Sequence, residues 1–387
     1  MAQRPTVFFI IGEHSGDLHA SFVARELLAR ADVALTGVAG PRMEAAGVKP
    51  FLRGERWGVM GLVPALLGLP WFLTAAAKVH REIRRLRPDV VVPVDFGAFN
   101  VRVLRRAHAD VTGKVLYYFP PRSWDRKATD WSGLAPLVDR VATPFPWSAD
   151  NLNASGIAAE WVGHPVLETL QPAGDRTELR RELGLPTSGS LIGLLAGSRG
   201  TERRFIGPAL VAAAEHILRQ SPDTHFVWSK IDRLQRFDPP GLAALESCGA
   251  LTRLDGSRDI LRAADAAIVT MGTATLEAAA ADCPMVAVYS GTLAMRLQFH
   301  LTRNKPDFYS MPNLLLQRGL VPEFLATDGS LPPGKLADGA MTLCSNGPAR
   351  REQLAGLAEV RAALGTGRAS ARVAEMILEL LAGRDSG

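Results

Sequence analysis

Cysteine is scarce in this sequence. Cys248, Cys283 and Cys344 are the only three among 387 residues, and they lie far apart. Such spacing leaves no CxxC pair to bind a metal and is typical of a reducing compartment. Long apolar runs are absent as well, since none reaches the roughly 20 residues that a membrane-spanning helix needs. No basic stretch, apolar run and small-residue cleavage site precede the first strand-like segment, so we expect the protein to stay in the cytosol.

Metal-binding patterns and a strong charge of one sign are also missing. No cluster of His, Cys and Asp has metal-ligand spacing and no DxD pair occurs, so we predict neither a metal nor a cofactor. Lys and Arg number 44 against 39 Asp and Glu, a formal charge of +5. This modest excess favours anionic partners such as nucleotides, phospholipid headgroups or nucleic acid without choosing among them. Genome base composition accounts for the excess equally well.

The alternation of apolar runs with helical patterns indicates the fold class. Strand-like runs occur at 6–11, 34–38, 89–94, 114–119, 191–195, 225–229, 266–270 and 285–289. Continuous apolar runs separated by helices are typical of parallel sheets covered on both faces. We therefore predict an α/β fold with two doubly wound, Rossmann-like domains that face each other across a ligand-binding cleft.

A segment rich in Pro, Gly and charge, 169–190, predicts where the domains join. The predicted N-terminal domain is 1–168, and the predicted C-terminal domain is 169–345. The remaining residues, 346–387, are helical in pattern with no strand after them, and we expect them to pack on either domain. This architecture alone permits transferases, epimerases and binding proteins, so function has to be argued from residues.

Eight segments occur in order along the chain: GEHSGDLHA, GVAGPRMEAAG, WGVMGLVPAL, VDFGAFN, VGHP, AGSRGTE, GTATLE and SMPNLL. Together they resemble the lipid-A-disaccharide synthase family, and the resemblance covers about 7–325. It implies a metal-independent, inverting hexosyltransferase of lipid A biosynthesis with the GT-B fold. The implied reaction transfers 2,3-diacylglucosamine from UDP to diacylglucosamine 1-phosphate (lipid X), and yields UDP and the β-1,6-linked lipid A disaccharide 1-phosphate. The resemblance also implies peripheral association with the inner face of the cytoplasmic membrane.

The loop after the first strand is the first candidate for the predicted cleft. Gly12 and Gly16 permit a tight turn and the close approach of another molecule. Ser15 and Asp17 are cleft candidates too, although both are equally good helix caps. Glu13 stands too early in the loop to cap well, and the resemblance implies that it lies in the sugar-binding cleft. We therefore name Glu13 as a second catalytic candidate.

Asp95 is the leading catalytic candidate because it follows a buried strand and so lies at the carboxyl end of the sheet. A sugar hydroxyl that attacks an anomeric carbon must lose its proton, and a positioned carboxylate can accept it. The IDxPDFN motif of the family corresponds to 94–100, where Asp95 and Asn100 are kept and the second Asp is replaced by Ala98. The competing interpretation is that Asp95 only caps a turn.

The loop at 197–202 is the candidate for binding the diphosphate of the leaving UDP. Gly197, Ser198 and Arg199 precede a helical stretch that includes Glu202. Loop N–H groups, the start of a helix and a guanidinium stabilise negative charge on phosphate oxygens without a metal. The alternative is that Arg199 forms a surface salt bridge with Glu202.

A second small-residue turn supplies the remaining donor candidates. Gly272 and Thr273 open a helix that carries Glu277, and the resemblance implies that Glu277 binds the ribose. The alternative is a glutamate in a first helical turn that interacts with the helix dipole. The resemblance also implies that Asn313 lies near the donor, but its proline neighbour makes a turn role equally credible.

The uncharged segment 59–73 is the candidate for membrane and acyl-chain docking, interrupted at Pro64 and Pro70. Its docking candidates are Met60, Leu62, Leu66, Leu67, Trp71 and Phe72. Basic residues follow at Lys78, Arg81, Arg84, Arg85 and Arg87, with a second group at Arg102, Arg105 and Arg106. An apolar, tryptophan-containing stretch beside basic residues is typical of an interfacial site. A core helix with a solvated basic end is the competing interpretation.

Several positions depart from the family pattern. They are Pro64, Ala98, Ala326 and the segment FPPRSWDR, which includes Arg122 and Arg126 and keeps only Pro121 and Trp124 from the centre of the family's motif. Most fall in the N-terminal half, so a transferase to another glycolipid remains an alternative. The others are a UDP-N-acetylglucosamine epimerase-like enzyme and a binding protein without catalysis.

The predicted partners follow from these assignments. They are a UDP-diacylglucosamine donor, a lipid-linked sugar phosphate acceptor, a membrane surface and, as a candidate, a second copy of the chain. Nucleic acid is not among them, because the basic residues flank an apolar stripe.

Overall fold

The computed structural model describes residues 4–54, 57, 69–291, 307–326 and 330–383. The chain divides into two compact units. The first contains Met1–Pro165 and Leu364–Gly387, and the second contains Val166–Ala363.

The first unit is built on a seven-stranded parallel sheet with the order β3-β2-β1-β4-β5-β6-β7. Its strands are β1 (Thr6–Ile10), β2 (Ala34–Ala39), β3 (Lys49–Arg53), β4 (Val90–Pro93), β5 (Lys114–Tyr118), β6 (Arg140–Thr143) and β7 (Ala159–Trp161). Its helices before residue 165 are α1 (His14–Arg30), α2 (Pro41–Ala45), α3 (Leu69–Leu86), α4 (Gly97–Ala107) and α5 (Pro146–Ala154).

The second unit is built on a six-stranded parallel sheet with the order β10-β9-β8-β11-β12-β13. Its strands are β8 (Leu191–Leu195), β9 (His225–Lys230), β10 (Leu251–Asp255), β11 (Ala266–Thr270), β12 (Met285–Ser290) and β13 (Glu323–Ala326). Its helices are α6 (Val166–Thr169), α7 (Arg176–Glu182), α8 (Gly200–Gln220), α9 (Leu242–Ser247), α10 (Arg258–Ala263), α11 (Thr273–Ala280), α12 (Met311–Leu316), α13 (Pro333–Cys344) and α14 (Pro348–Ala363). Two parallel-sheet α/β domains confirm the predicted fold class.

Successive residues of β1 show why its sequence is apolar without alternation. Val7 and Phe9 pack in one buried cluster together with Leu27 of α1. Phe8 packs on the opposite face, in a second cluster with Ile83 of α3. Because helices cover both faces, every position of the strand needs an apolar side chain.

The strands that the apolar runs did not predict are short, and each contains charged residues. Such residues include Arg53 in β3, Arg140 in β6, Glu160 in β7, Arg253 in β10 and Glu323 in β13. Four of these strands, β3, β7, β10 and β13, are edge strands, and β6 lies beside an edge. At an edge a charged side chain reaches water and discourages pairing with another chain.

The C-terminal residues 346–387, predicted as one segment, are divided between the two units. Helix α14 belongs to the second unit, whereas the last helix, α15 (Ala369–Ala382), packs on α1 in the first unit. Ion pairs join α15 to the rest of the first unit. Glu375 pairs with Arg30 of α1 at 2.9 Å, and Arg372 pairs with Glu160 of β7 at 2.5 Å. The last helix thus helps to complete the core of the first unit.

Two buried histidines lie near the carboxyl edge of the first sheet. His19 of α1 stacks on Phe119 with ring centroids 5.3 Å apart, and His164 lies 5.9 Å from His19. Burial, aided by the positive charge of Arg42, lowers the pKa of His19 to about 4. Burial and the neighbouring His19 lower the pKa of His164 well below its usual value. Both rings are therefore neutral at pH 7.

This pair predicts a loss of stability in mild acid. The unfolded chain binds a proton at His19 below about pH 6.5, whereas the folded chain does so only near pH 4. Stability is therefore complete above the unfolded pKa and falls as the pH decreases towards 4. His19 alone should lower the free energy of unfolding by about 2 kcal/mol between pH 7 and pH 5.

The measurement is chemical denaturation at both pH values for the wild type and for His19→Phe, which keeps an aromatic ring on Phe119. The variant should lose less stability on acidification. His108→Phe, at an exposed position, is the matched control and should behave as the wild type does. Equal acid sensitivity of His19→Phe and the wild type would contradict the assignment.

Candidate functional site

The loop after β1 and the turn after β4 are neighbours at the carboxyl edge of the first sheet. A side chain at Gly12 would come within 2.1 Å of the Phe96 ring, so this glycine leaves the space in which Phe96 packs. A Cβ on Gly16 would lie 3.8 Å from the Val94 carbonyl oxygen. The structure thus brings the predicted cleft loop against the residues that flank Asp95.

Within this loop Glu13 is the N-cap residue of α1, with extended backbone and no capping bond from its side chain. Its carbonyl oxygen accepts the Asp17 N–H at 3.0 Å. Glu13 and Ser15 are both partly exposed. Their side chains are therefore accessible at the edge of the sheet.

Asp17 has a different position from the one predicted. Its buried carboxylate accepts N–H groups from Gly40 at 3.1 Å, Arg42 at 3.1 Å and Met43 at 3.0 Å. It therefore caps the start of α2, and not its own helix, and its oxygens are engaged in the interior. The structure assigns Asp17 a structural role, and the prediction of a cleft ligand is corrected on this point.

Asp95 lies in an unusual backbone conformation at the end of β4. Asp95 and Phe96, which we call the Asp95 turn, both have positive φ, +51° and +49°. The Asp95 N–H donates to the Tyr118 carbonyl at 2.9 Å, and the Asp95 carbonyl oxygen accepts from the Tyr117 hydroxyl at 2.9 Å and the Asn100 amide at 2.7 Å. Left-handed non-glycine residues cost about 1–3 kcal/mol each and cluster at functional sites.

Two consequences follow for the predicted residues. The Asp95 side chain is exposed at the carboxyl edge of the sheet, where a catalytic carboxylate is needed. Asn100 is fully buried and contacts the backbone of the Asp95 turn, so it supports Asp95 from beneath. Sequence reasoning missed Tyr117, because a tyrosine inside a strand gives no signal of its hydroxyl's partner.

An aromatic cluster surrounds the Asp95 turn. Phe96 lies 6.0 Å from Phe72 and 5.4 Å from Phe99, measured between ring centroids. Trp71 contacts both Phe72 and Trp57 at 5.0 Å and is 49% exposed. Trp71 and Phe72, two of the predicted docking residues, are thus connected to the Asp95 turn. The other four and Pro64 lie outside the described residues: Met60, Leu62, Leu66 and Leu67.

The segment that departs most from the family pattern also lies beside the Asp95 turn. Gly97 packs so closely on Pro121 that an added Cβ would lie 2.4 Å from the proline. Arg122 has φ +60°, and Trp124 is 50% exposed. Arg126 covers the Trp147 ring, with 3.9 Å between its guanidinium carbon and the ring centroid. The segment therefore contacts the residue that follows the Asp95 turn, through Pro121.

In the second unit, the candidate diphosphate loop is organised by Glu202. Its carboxylate accepts the N–H groups of Ser198 at 2.9 Å and Arg199 at 3.2 Å, and it pairs with the Arg199 guanidinium at 2.9 Å. Gly197 has φ +98°, and a Cβ there would collide with Glu202. The salt bridge that we named as the alternative is present, and two of the predicted N–H donors are engaged by the protein's own carboxylate.

The donors that remain for an anion are at the start of α8. Gly200 and Thr201 begin the helix, and the first N–H groups of a helix have no intrahelical acceptor. Arg199 precedes them, with 34% of its side chain exposed. Positive charge and helix N–H groups therefore converge at one place.

The turn before α11 contains the ribose candidate. Gly272 has φ +131°, and a Cβ there would meet nothing within 4 Å, so the glycine is required by its backbone conformation and faces open space. Thr273 begins the helix and is exposed. Glu277, four residues further, accepts a hydrogen bond from the Ser257 hydroxyl at 2.7 Å. Sequence reasoning missed Ser257, which is distant in the chain.

Asn313 is buried with both ends of its amide engaged. Its Nδ2 donates to the Val321 carbonyl and to Glu323, each at 2.8 Å, and its Oδ1 accepts the N–H groups of Leu320 and Val321 at 2.9 and 2.8 Å. Asn313 therefore ties α12 to β13, at whose end Ala326 lies. This is the turn role that we named as the alternative to donor contact.

The residues that the structure describes contain neither a metal-binding cluster nor a membrane-spanning helix. Within those ranges no group of three or more His, Cys, Asp or Glu side chains is arranged to hold a metal ion. In the same part of the chain, no helix is long and apolar enough to cross a bilayer.

Comparison with known proteins supplies the family. Residues 7–374 match the family model of lipid-A-disaccharide synthetase. A lipid-A-disaccharide synthase from Myxococcus xanthus (strain DK1622) is 33% identical over 388 residues, which cover 98% of this chain and 99% of the relative.

Solved structures show the same fold at low identity. A UDP-GlcNAc 2-epimerase from Neisseria meningitidis, bound to UDP-GlcNAc, has a TM-score of 0.64 at 12% identity, covering 97% of this chain and 100% of that one. The calicheamicin glycosyltransferase CalG4 has a TM-score of 0.57 at 16% identity, covering 99% of each chain. These likenesses establish the GT-B fold. The match of the sequence over nearly its whole length favours the transferase interpretation over the epimerase one, and the chain belongs to the lipid-A-disaccharide synthase family of glycosyltransferases.

Proposed function

We propose that the protein transfers 2,3-diacylglucosamine from UDP to the 6-hydroxyl of diacylglucosamine 1-phosphate, with inversion and without a metal. The new bond joins the anomeric carbon to the acceptor oxygen, and the bond to the UDP oxygen breaks. The products are the β-1,6-linked disaccharide 1-phosphate and UDP. Family membership supports the reaction, and the observation that carries the mechanism is the strained Asp95 turn, which presents an exposed carboxylate.

Asp95 is the proposed general base. A carboxylate that accepts the hydroxyl proton as the new bond forms contributes typically 10²–10⁴-fold to the rate. Its turn is fixed by Tyr117 and Asn100, so the carboxylate is preorganised with little freedom of the backbone. Glu13, at the neighbouring loop, is the second candidate for this role, because Gly12 packs on Phe96 of the same turn.

Arg199 and the start of α8 are proposed to stabilise the departing diphosphate. A guanidinium has five N–H donors, so Arg199 can bind Glu202 and a phosphate oxygen together. The positive end of the helix dipole adds to this charge. Fixed cationic donors of this kind replace the metal ion that other transferases use. Glu277 is proposed to bind the ribose, with Gly272 and Thr273 at the open turn beside it.

The two units are proposed to divide the substrates. The second unit binds the UDP-sugar, and the first unit binds the acceptor and docks on the inner face of the cytoplasmic membrane. Trp71 and Leu73, 49% and 43% exposed, begin the apolar part of this docking face. Exposed basic residues on the packed helices α3 and α4 continue it: Lys78, Arg81, Arg84, Arg85, Arg102, Arg105 and Arg106. Such a surface suits anionic lipid headgroups around an apolar anchor.

The direct test of the reaction is mass spectrometry of products. Purified protein is incubated with UDP-diacylglucosamine, with and without diacylglucosamine 1-phosphate, in the presence of a chelator. The expected product is the disaccharide 1-phosphate, formed only when the acceptor is present. An acceptor-independent epimeric sugar nucleotide would contradict the proposal, and loss of turnover with the chelator would contradict metal independence.

Asp95→Asn should lower kcat by about 10²-fold or more, because the amide cannot accept the proton, while UDP affinity stays unchanged. The rate of UDP release and the affinity for UDP are measured separately. Asp130→Asn, at an exposed acid of the same unit, is the matched control. Full turnover by Asp95→Asn together with loss of turnover in Glu13→Gln would transfer the role to Glu13.

Arg199→Ala should lower kcat/KM by about 10²–10³-fold and weaken UDP binding, since it removes the fixed positive charge at the leaving group. Arg199→Lys should recover part of the kcat/KM and part of the UDP affinity, because lysine keeps the positive charge but lacks the planar guanidinium that donates two hydrogen bonds side by side. The exposed Arg204, on the same helix, provides the matched alanine control. Unchanged UDP affinity in Arg199→Ala would refute the diphosphate assignment.

Leu73→Ser should reduce co-sedimentation with phosphatidylglycerol vesicles several-fold without lowering thermal stability, since the side chain is 43% exposed. Leu28→Ser is the matched control, because Leu28 is also an exposed leucine on a helix of the first unit, at 41%. Binding to phosphatidylcholine vesicles should be weak for all variants, as the basic helices require anionic lipid. Equal loss from both leucine variants would argue against a docking face at α3.

A further inference from the structure

The hydrogen bond between Ser257 and Glu277 joins the start of one helix to the middle of another in the second unit. Ser257 precedes α10, and Glu277 lies on α11. The Ser257 hydroxyl donates to Glu277 Oε2 at 2.7 Å, and both residues are half-buried. A bond to a carboxylate in such a position is stronger than one between neutral groups.

The Ser257 hydroxyl does not cap its own helix, although Ser257 is at the N-cap position. A serine at an N-cap normally accepts an N–H of the first turn, which stabilises a helix by about 1 kcal/mol. Ser257 is the N-cap residue of α10 but makes no such bond with its side chain. In the same unit Asp175 does cap α7, accepting from Thr177 at 2.8 Å and Glu178 at 3.1 Å. The hydrogen of the Ser257 hydroxyl is directed to Glu277.

The position of Ser257 is itself well defined by the backbone. The Ser257 carbonyl accepts the Leu261 N–H at 3.0 Å, which places the residue at the start of α10. The preceding Gly256 has φ +74° and donates its N–H to the Lys230 carbonyl at 3.2 Å. Because the backbone of Ser257 is fixed, its hydroxyl can hold the flexible Glu277 side chain in one rotamer. A glutamate in water exchanges among several rotamers.

A carboxylate can accept several donors at once, because its two oxygens have about four acceptor sites. A ribose offers two adjacent hydroxyl donors, which a single carboxylate can accept together. Glu277 lies on the helix that the Gly272 turn opens, and that turn faces open space through which such a ligand can approach.

We propose that Ser257 is a positioning residue that holds Glu277 in the rotamer that binds the ribose hydroxyls of a uridine nucleotide, and that it thereby determines the preference for a ribonucleotide over its 2′-deoxy analogue. The proposal rests on the ribose role of Glu277 proposed above. Ser257 itself touches the carboxylate and not the nucleotide. Its removal therefore acts on the hydroxyl contact and leaves the contacts of base and diphosphate unchanged.

The test compares the affinities of the full-length protein for UDP and for 2′-deoxy-UDP by titration calorimetry. Wild type should bind UDP at least about tenfold more tightly, as expected for hydrogen bonds to a charged group. Ser257→Ala should reduce this ratio by about fivefold and change the affinity for 2′-deoxy-UDP less than twofold. Ser257→Thr, which keeps the hydroxyl, should restore the ratio.

Ser247→Ala is the matched control, because the Ser247 hydroxyl bonds only to the Ala243 carbonyl of its own helix at 2.8 Å among the bonds described for it. It should leave the ratio as in the wild type. If the alanine variant does not fold, Ser257→Gly provides the same test, since glycine is also accepted at an N-cap.

Glu277→Ala separates failure of this inference from failure of the proposed function. If Glu277→Ala keeps the full preference for UDP, the ribose role of Glu277 is wrong and the inference fails with it. If Glu277→Ala abolishes the preference but Ser257→Ala preserves it, the role of Glu277 stands and the positioning role of Ser257 is overturned. An equal loss of both affinities in Ser257→Ala also overturns it, because that result indicates general disruption of the site.

Discussion

The left-handed turn at Asp95 and Phe96 is the constraint on which the carboxyl edge of the first unit depends. Two consecutive non-glycine residues with positive φ are unfavourable in isolation. They persist because Tyr117 and Asn100 donate to the Asp95 carbonyl from the interior, and because Gly12 leaves space for the Phe96 ring. The interior therefore determines the backbone, and the backbone determines where the exposed carboxylate of Asp95 lies.

Several polar residues that resemble ligand-binding groups instead bind the protein's own backbone. Asp17 caps α2, Glu202 accepts two N–H groups of its own loop, and Asn313 binds the backbone of Leu320 and Val321. The physical cause is the same in the first two cases. Helix starts and tight loops expose N–H groups that attract any anion, and an internal carboxylate satisfies them as well as a phosphate does. Glu202 both accepts the loop N–H groups and pairs with the Arg199 guanidinium.

Some residues that differ from the pattern of the lipid-A-disaccharide synthase family lie near the Asp95 turn. The segment with Pro121, Arg122 and Trp124 lies against Gly97, beside the Asp95 turn, and Ala98 is in the turn's own helix. In the second unit, Arg199 pairs with Glu202 and Glu277 accepts from Ser257, so both side chains have defined positions. The aromatic cluster from Trp57 to Phe99 connects the Asp95 turn to the exposed Trp71.

The two parallel-sheet domains could be predicted from the sequence, because buried strands and amphipathic helices leave periodic patterns that do not depend on distant residues. So could the family, the position of Asp95 at the end of a strand, that of Arg199 before a helix and that of Glu277 within one. The short charged strands left no apolar pattern, so their pairing was decided by neighbours in space. The folded chain was needed to show which carboxylates are engaged internally, that Tyr117 holds the Asp95 turn, and that Ser257 meets Glu277 across 20 positions of sequence. Hydrogen bonds between residues distant in the chain have no local signature, since each partner is an ordinary residue until the fold places the two atoms within reach.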